Sequence, residues 1–187
     1  MTLVHVIRHG KPAATWGGAD EDPGLDTIGK AQADAAAEAI LALPERPTRV
    51  VSSPLRRCRE TAEPLARALG VDLIIDPRVG EIPTPTALSH EERPAWLKRA
   101  FEGRWGEIQG DLDYVAWTRG VGAALREYPG AAVFSHFVAL NAAVGVATGQ
   151  AEVVAFRPDH CSRTVFKIDG DRLILVEKGR EAQSQVL

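Results

Sequence analysis

The chain has 187 residues, 45% of them hydrophobic and 25% charged, with a net charge of −3. That balance is ordinary for a soluble globular protein, and the length predicts one domain over 1–187 with a substantial core. A mildly acidic chain offers no field for nucleic acid or an anionic membrane, and no apolar stretch reaches bilayer length or reads as a signal peptide.

The first predicted strand is Leu3-Val4-His5-Val6-Ile7, an apolar run rich in β-branched residues that ends in Arg8-His9-Gly10. A strand closing on a cation, an imidazole and a glycine places chemistry at its C-terminal edge, where open α/β sheets bind ligands. Arg8 brings a planar fork of donors suited to phosphate or carboxylate, and His9 a nitrogen able to serve as base, ligand or nucleophile. Gly10 lets the backbone turn and come close to a ligand.

Lys11 to Pro23 reads as loop. Asp26 is the N-cap of an Ala-rich helix running to about Leu43, stopped by Pro44 and Pro47. Arg49 to Ser53 is the second strand. Pro54 falls in the first turn of a helix that reaches Gly70, with a kink or break expected at Pro64. Val71 to Ile75 is a third strand, and Val79 to Pro85 a loop. A helix is expected over Glu91–Phe101, an interruption over Gly103–Gly110, and another helix from Asp111 to about Tyr128. Ala131 to His136 is a fourth strand that again ends in a histidine. Val138 to Thr148 is an apolar helix closed by Gly149, and Asp169-Gly170 joins a terminal hairpin of Arg163–Ile168 and Arg172–Val176. Strands alternating with helices predict a three-layer α/β fold, with a mainly parallel sheet, helices on both faces and a C-terminal antiparallel hairpin. Residues 82–112 form a small helical insert in this reading.

Four stretches carry the chemistry: Arg8-His9-Gly10, Ser53-Pro54-Leu55-Arg56-Arg57 through Ala62, Arg78-Val79-Gly80-Glu81, and Ser135-His136. In this order they resemble the motifs of the histidine phosphatase superfamily, also called phosphoglycerate mutase-like, over nearly the whole chain. Leu25-x-x-x-Gly29-x-x-Gln32-Ala33 is similar to that family's first helix, and Cys161-Ser162-x-Thr164 to a late strand segment. The resemblance puts His9 on the phosphorylated histidine, Arg57 on the second arginine, Glu81 on the acid and His136 on the second histidine. There are departures. The Gly-x-Trp-Glu-Gly run is missing after Glu81, Asp26 stands where threonine is common, and Lys11 where an acid or glutamine is frequent. Phe137 follows His136 where glycine is common, which predicts a narrowed pocket mouth. Thr15-Trp16-Gly17 only approximates a Trp-Asn pair.

These matches imply a phosphomonoesterase acting on a small phosphorylated substrate. Arg8, Arg57 and His136 bind the phosphoryl oxygens, His9 attacks phosphorus as a neutral imidazole, and Glu81 protonates the leaving alcohol and then activates water. The expectation is no cofactor and no metal, since the chain has no cysteine pair or Asp-rich loop of ligand spacing. Two other readings stand beside it: phosphoglycerate mutase-type phosphotransfer, and a phospho-ligand binding module without turnover. Glu81 as a plain loop carboxylate and Arg57 as part of a solvated basic face are the bland alternatives for those positions.

His5 is expected to be structural and His90 a surface residue at a helix start. His160, before Cys161, is expected in core or surface, with an approach to the pocket as the alternative, and Cys58 and Cys161 as packed thiols whose lack of a disulfide pattern points to the cytoplasm. Trp96, Trp105 and Trp117 are expected to pack in the core, with a lid over the substrate as the alternative. Nothing in the sequence sets an oligomeric state.

Overall fold

The computed structural model describes residues 2–14 and 19–183, so the Thr15-Trp16-Gly17 approximation lies outside the described residues. Six strands form one sheet: β1 (Leu3–Arg8), β2 (Arg49–Ser52), β3 (Leu73–Ile75), β4 (Ala131–Ser135), β5 (Arg163–Asp169) and β6 (Arg172–Glu177). Their order is β3-β2-β4-β1-β5-β6. The pairs β3-β2, β2-β4 and β4-β1 are parallel, whereas β1-β5 and the hairpin β5-β6 are antiparallel. The sheet is therefore mixed, with the parallel half carrying the crossovers that the alternating pattern demanded.

Among the described residues five α-helices accompany it: α1 (Thr27–Leu41), α2 (Arg56–Leu69), α3 (Arg93–Phe101), α4 (Tyr114–Arg126) and α5 (Phe137–Thr148). The strand alternation sorts the core into two layers. Ile7, Val50, Ala132 and Phe134 face a cluster with Ala37, Ile40, Ala62 and Leu65 of α1 and α2. Val4, Val6, Val51 and Val133 face the other way, into a larger cluster with Val121, Leu125, Val138 and Leu140 of α4 and α5.

Several boundaries differ from the pattern-based expectation, each for a local reason. Helix α2 runs through Pro64 without interruption and begins only at Arg56, with Pro54 ahead of it. Helix α4 starts later than Asp111, because Asp113 is the cap that accepts from the Ala116 amide at 2.9 Å. Asp111 instead accepts from the amide and hydroxyl of Thr86. Residues 82–112 hold α3 and a 3-10 turn at Trp105–Glu107. Trp96 and Trp105 are buried and Trp117 packs against the same core, so the tryptophans are packing residues rather than a lid.

Among the described residues, no helix is long and apolar enough to cross a membrane.

Candidate active site

In a parallel pair, strands of matched register end together. Arg8 lies opposite Ser135, and Phe134 opposite both Ile7 and Ser52. The pairing continues one step past the strands: the His9 amide donates to the Ser135 carbonyl at 3.0 Å, and the Ser53 amide to the Phe134 carbonyl at 3.0 Å. Three C-terminal edges thus deliver His9, His136 and Ser53 to one place. His136 also caps α5, and Arg57 sits in the first turn of α2, so two helix N-termini add positive potential there.

The first motif is held by backbone contacts that explain its neighbours. A Cβ on Gly29 would lie 2.1 Å from the Lys11 carbonyl oxygen, and one on Gly10 would lie 2.7 Å from the Gly29 oxygen. Only glycine at both positions lets α1 press against the turn after His9. The Gly10 amide donates to Thr61 Oγ1 (2.9 Å), and that hydroxyl donates to the Arg57 carbonyl (2.6 Å). The Lys11 amide donates to Gln32 Oε1 at 2.9 Å. Asp26, in place of threonine, accepts from the Gly29 amide at 2.7 Å and pairs with Lys11 at 2.8 Å. The two departures at 11 and 26 are therefore matched to each other.

Glu81 is placed by a network behind it. Asp76 caps a 3-10 turn at Pro77–Val79, takes both Arg78 (2.7 Å) and the Tyr128 hydroxyl (2.8 Å), and Arg78 continues to Glu127. Ser135 Oγ donates to the Val79 carbonyl at 2.7 Å, tying that turn to β4. The Glu81 carboxylate then lies with Oε1 on the Ile82 amide at 3.0 Å and Oε2 at 3.5 Å from both Arg57 Nη2 and His136 Nδ1.

The cluster is tight and dry. Arg8, His9, Arg57 and His136 are only 6%, 5%, 5% and 0% exposed. The His9 and His136 rings are 5.4 Å apart, edge to face, and Arg57 Nη2 is 3.2 Å from His136 Nδ1. His136 Nε2 lies 2.8 Å from Ser53 Oγ and 3.4 Å from the Cys58 sulfur. Arg8 donates to the Pro158 carbonyl at 2.9 Å and lies over the Phe137 ring at 5.4 Å. Phe137 is thus buried floor beneath Arg8 and does not narrow a mouth. Among the described residues, the Nε groups of Arg8 and Arg57 are buried without a hydrogen-bond partner, two spare donors within the cluster.

That charge balance sets the protonation states. Burial, then Arg57, His136 and Arg8, hold His9 well below the usual histidine range. Burial and the arginines Arg57, Arg8 and Arg93 do the same to His136. Burial pulls Arg8 down to about 10, while Glu81 opposes that shift. Both imidazoles are neutral at pH 7. His9 Nδ1 lies 2.8 Å from the Gly10 carbonyl, which can only accept, so Nδ1 carries the proton and Nε2 keeps its lone pair. Burial raises both thiols, Cys161 to about 12, which makes them packed groups rather than nucleophiles.

A cavity of about 540 Å³ opens over Arg57, Glu81, Ser53 and Gly80. One wall comes from residues 82–93 and another from Pro12, Ala14, Asp20, Glu21 and Pro23, while Arg8, His9 and His136 are not in its lining. Among the described residues no three His, Cys, Asp or Glu side chains are grouped to hold a metal ion. His5 and His9, four apart, lie on an extended segment that separates them by roughly 13 Å. His5 instead meets Arg163 at 3.0 Å.

The model of the histidine phosphatase superfamily, branch 1, matches residues 4–180. The chain belongs to that superfamily. A probable phosphoglycerate mutase, GpmB, of Photorhabdus laumondii is 30% identical over 118 residues, which is 57% of this chain and 53% of that protein. The chain thus spans about half the length of that curated relative. The phosphoserine phosphatase of Entamoeba histolytica, solved with 3-phosphoglyceric acid, superposes with a TM-score of 0.75 at 20% identity, covering 98% of each chain. A mycobacterial glucosyl-3-phosphoglycerate phosphatase gives a TM-score of 0.73 at 20% identity, covering 97% of this chain and 100% of the other. These two likenesses establish the fold.

Set among histidine phosphatases, this chain has two site neighbours that its motifs did not reveal. Arg93, the first residue of α3, lines the cavity, donating to the Ile82 carbonyl at 3.0 Å and to the Thr84 hydroxyl. Burial lowers its pKa, and Glu81 partly restores it. His160, expected in core or surface, has its ring 5.8 Å from that of His9. Arg93 had no signal beyond its place at a helix start. The pairing of His160 with Cys161 was visible, but its direction depended on a turn that pattern does not encode.

Proposed function

We propose that the chain is a phosphomonoesterase that hydrolyses a small phosphorylated substrate through a phosphohistidine on His9. One observation carries this: a buried, neutral imidazole, with its proton committed to the Gly10 carbonyl, faces a cluster of two guanidiniums and a second imidazole. A phosphate dianion supplies the charge that Arg8 and Arg57 lack, and both have an unused Nε.

In the first step His9 Nε2 attacks phosphorus, the bond from phosphorus to the leaving oxygen breaks, and Glu81 gives that oxygen its proton. Arg57 turns from His136 and Glu81 to the phosphoryl oxygens. His136 Nδ1, on the same side, then becomes a donor when Ser53 Oγ–H donates to Nε2. In the second step Glu81 takes a proton from water, the water oxygen bonds to phosphorus, the N–P bond breaks, and inorganic phosphate leaves. The proton that Glu81 gives to the leaving oxygen is replaced from water in the second step, so the cycle closes with neither metal nor cofactor. The leaving group occupies the cavity above Arg57 and Glu81, which Arg93 makes hospitable to a substrate with a second anionic group.

The whole chain, 1–187, acts as one catalytic unit in this reading. The two free cysteines suit the cytoplasm. Its partner is a small phosphorylated molecule, not nucleic acid or membrane. Turnover of p-nitrophenyl phosphate by the wild type, lost by ~10³-fold or more in His9→Ala with an unchanged circular dichroism spectrum, tests the assignment. Acid-labile, base-stable phosphate on the quenched wild type identifies the intermediate. Phosphate binding without turnover would instead mark a binding module.

Phosphoglycerate mutase-type transfer is the second reading, favoured by the likeness to the probable mutase. Conversion of 3-phosphoglycerate, measured with and without bisphosphoglycerate, separates the two.

A further inference from the structure

His160 lies on the segment 157–162, and this segment is tied to the end of β1 at three points. The Cys161 amide donates to the Arg8 carbonyl (3.1 Å), the Arg8 amide to the Ser162 carbonyl (3.2 Å), and Arg8 Nη1 to the Pro158 carbonyl (2.9 Å). Asp159 closes the turn, accepting from the His160 amide at 2.8 Å and from Arg180 at 2.9 Å. Cys161 takes a φ of 55°, and no other non-glycine among the described residues is left-handed. A residue with a Cβ rarely takes that conformation and keeps it only where the surroundings enforce it. Here it turns residue 160 back over the nucleophile.

The result is a half-buried imidazole with its ring 5.8 Å from His9, tilted by 47°. Among the described residues its ring nitrogens make no hydrogen bond. The charged groups around it are Arg8, Asp159, Lys11 and Asp26, and Glu81 is not among them. Burial and the adjacent guanidinium of Arg8 lower its pKa to about 4, so at pH 7 it offers one N–H and one lone pair and no charge.

We propose that His160 is a phosphoryl-binding residue, its ring N–H donating to a non-bridging oxygen of the group being transferred to His9, on the side opposite Glu81. This rests on the phosphohistidine reading above. As oxygens spread towards the trigonal plane of the transition state, a fixed donor beside the nucleophile gains more there than in the ground state. A neutral donor also adds no further cation to a site already holding Arg8 and Arg57.

The test uses His160→Phe, which keeps a ring against His9 and removes both nitrogens, and His160→Asn, which restores an N–H. Inorganic phosphate and orthovanadate serve as ground-state and transition-state probes. His160→Phe is expected to lower kcat on p-nitrophenyl phosphate by ~10–100-fold with little change in KM. It should weaken vanadate inhibition ~10-fold more than phosphate inhibition, and His160→Asn should recover most of that difference. A structural role would weaken both inhibitors alike. If His160→Phe fails to fold, His160→Ala is read by the same ratio. An unchanged vanadate-to-phosphate ratio in an active variant overturns the proposal. A wild type that neither turns over the ester nor binds vanadate overturns the phosphatase reading instead.

Discussion

The two sides of the site are built differently. The floor, made of Arg8, His9, Arg57 and His136, stands on the ends of β1 and β4 and the first turn of α2. The amides of Arg8, His9 and Ser53 are paired there, and two glycines are in contact with neighbouring backbone. The wall, residues 82–93, is loop and helix start, and its side chains meet the cavity from half-exposed positions. In the proposed reading, the floor recognises what all phosphomonoesters share and the wall meets what differs between them. Chemistry with sub-ångström tolerance sits on rigid elements, and recognition on segments that tolerate change.

Four experiments press on that contrast. The largest effect is expected at the floor's backbone contact. Gly29→Ala puts a methyl 2.1 Å from the Lys11 oxygen, so helix or turn must move. Denaturant titration should show a loss of about 3 kcal/mol, and a neutral result would show the floor to be yielding. Next is Glu81, where floor meets wall. Glu81→Gln should cost ~10²-fold in kcat on alkyl phosphates and far less on aryl phosphates, whose leaving groups need no proton. Equal losses would assign the proton to another residue.

The third reads the floor's dryness. The folded pKa values of His9 and His136 are depressed, so below the unfolded value near 6.5 the unfolded chain takes up protons that the folded chain refuses. Stability should therefore be full above pH 6.5 and fall as pH drops below it, by up to ~1.4 kcal/mol per pH unit for each buried histidine. Denaturation at pH 7 and pH 5 measures the slope, and His9→Ala should flatten it. The pH profile of kcat/KM should keep its acid limb well below 6.5, since protonation of His9 is what removes the nucleophile. The smallest effect is on the wall. Arg93→Ala should raise KM ~10-fold for substrates carrying a second anionic group and leave p-nitrophenyl phosphate unaffected. Equal effects on both would move Arg93 into the floor.

What could be seen in the sequence divides along the same line. Leu3 to Gly10 and Ala131 to His136 were legible as strand and strand end, because burial on both faces forces apolar runs and a parallel sheet aligns their termini. The two-face sheet and the Asp169-Gly170 hairpin followed from alternation and one turn dipeptide. The start of α4 was missed because Asp111 and Asp113 are equal candidates for a cap until Thr86 claims the first. Phe137 was misplaced because the direction of a residue after a strand depends on the helix that follows. Its ring turned down against Phe101 at 5.4 Å, into the core. Arg93 stayed hidden, and His160 was visible only as an alternative, for the same kind of reason: their relevance comes from tertiary approach, and no local period encodes it.

The close contact between Gly10, Lys11 and Gly29 has one more implication. A hinge needs slack, and the turn carrying the nucleophile has less clearance than a single methyl group. Clearance for a substrate is then left to the side chains that line the cavity beyond this contact, Ile82 to Arg93 among them, and not to the turn that carries His9.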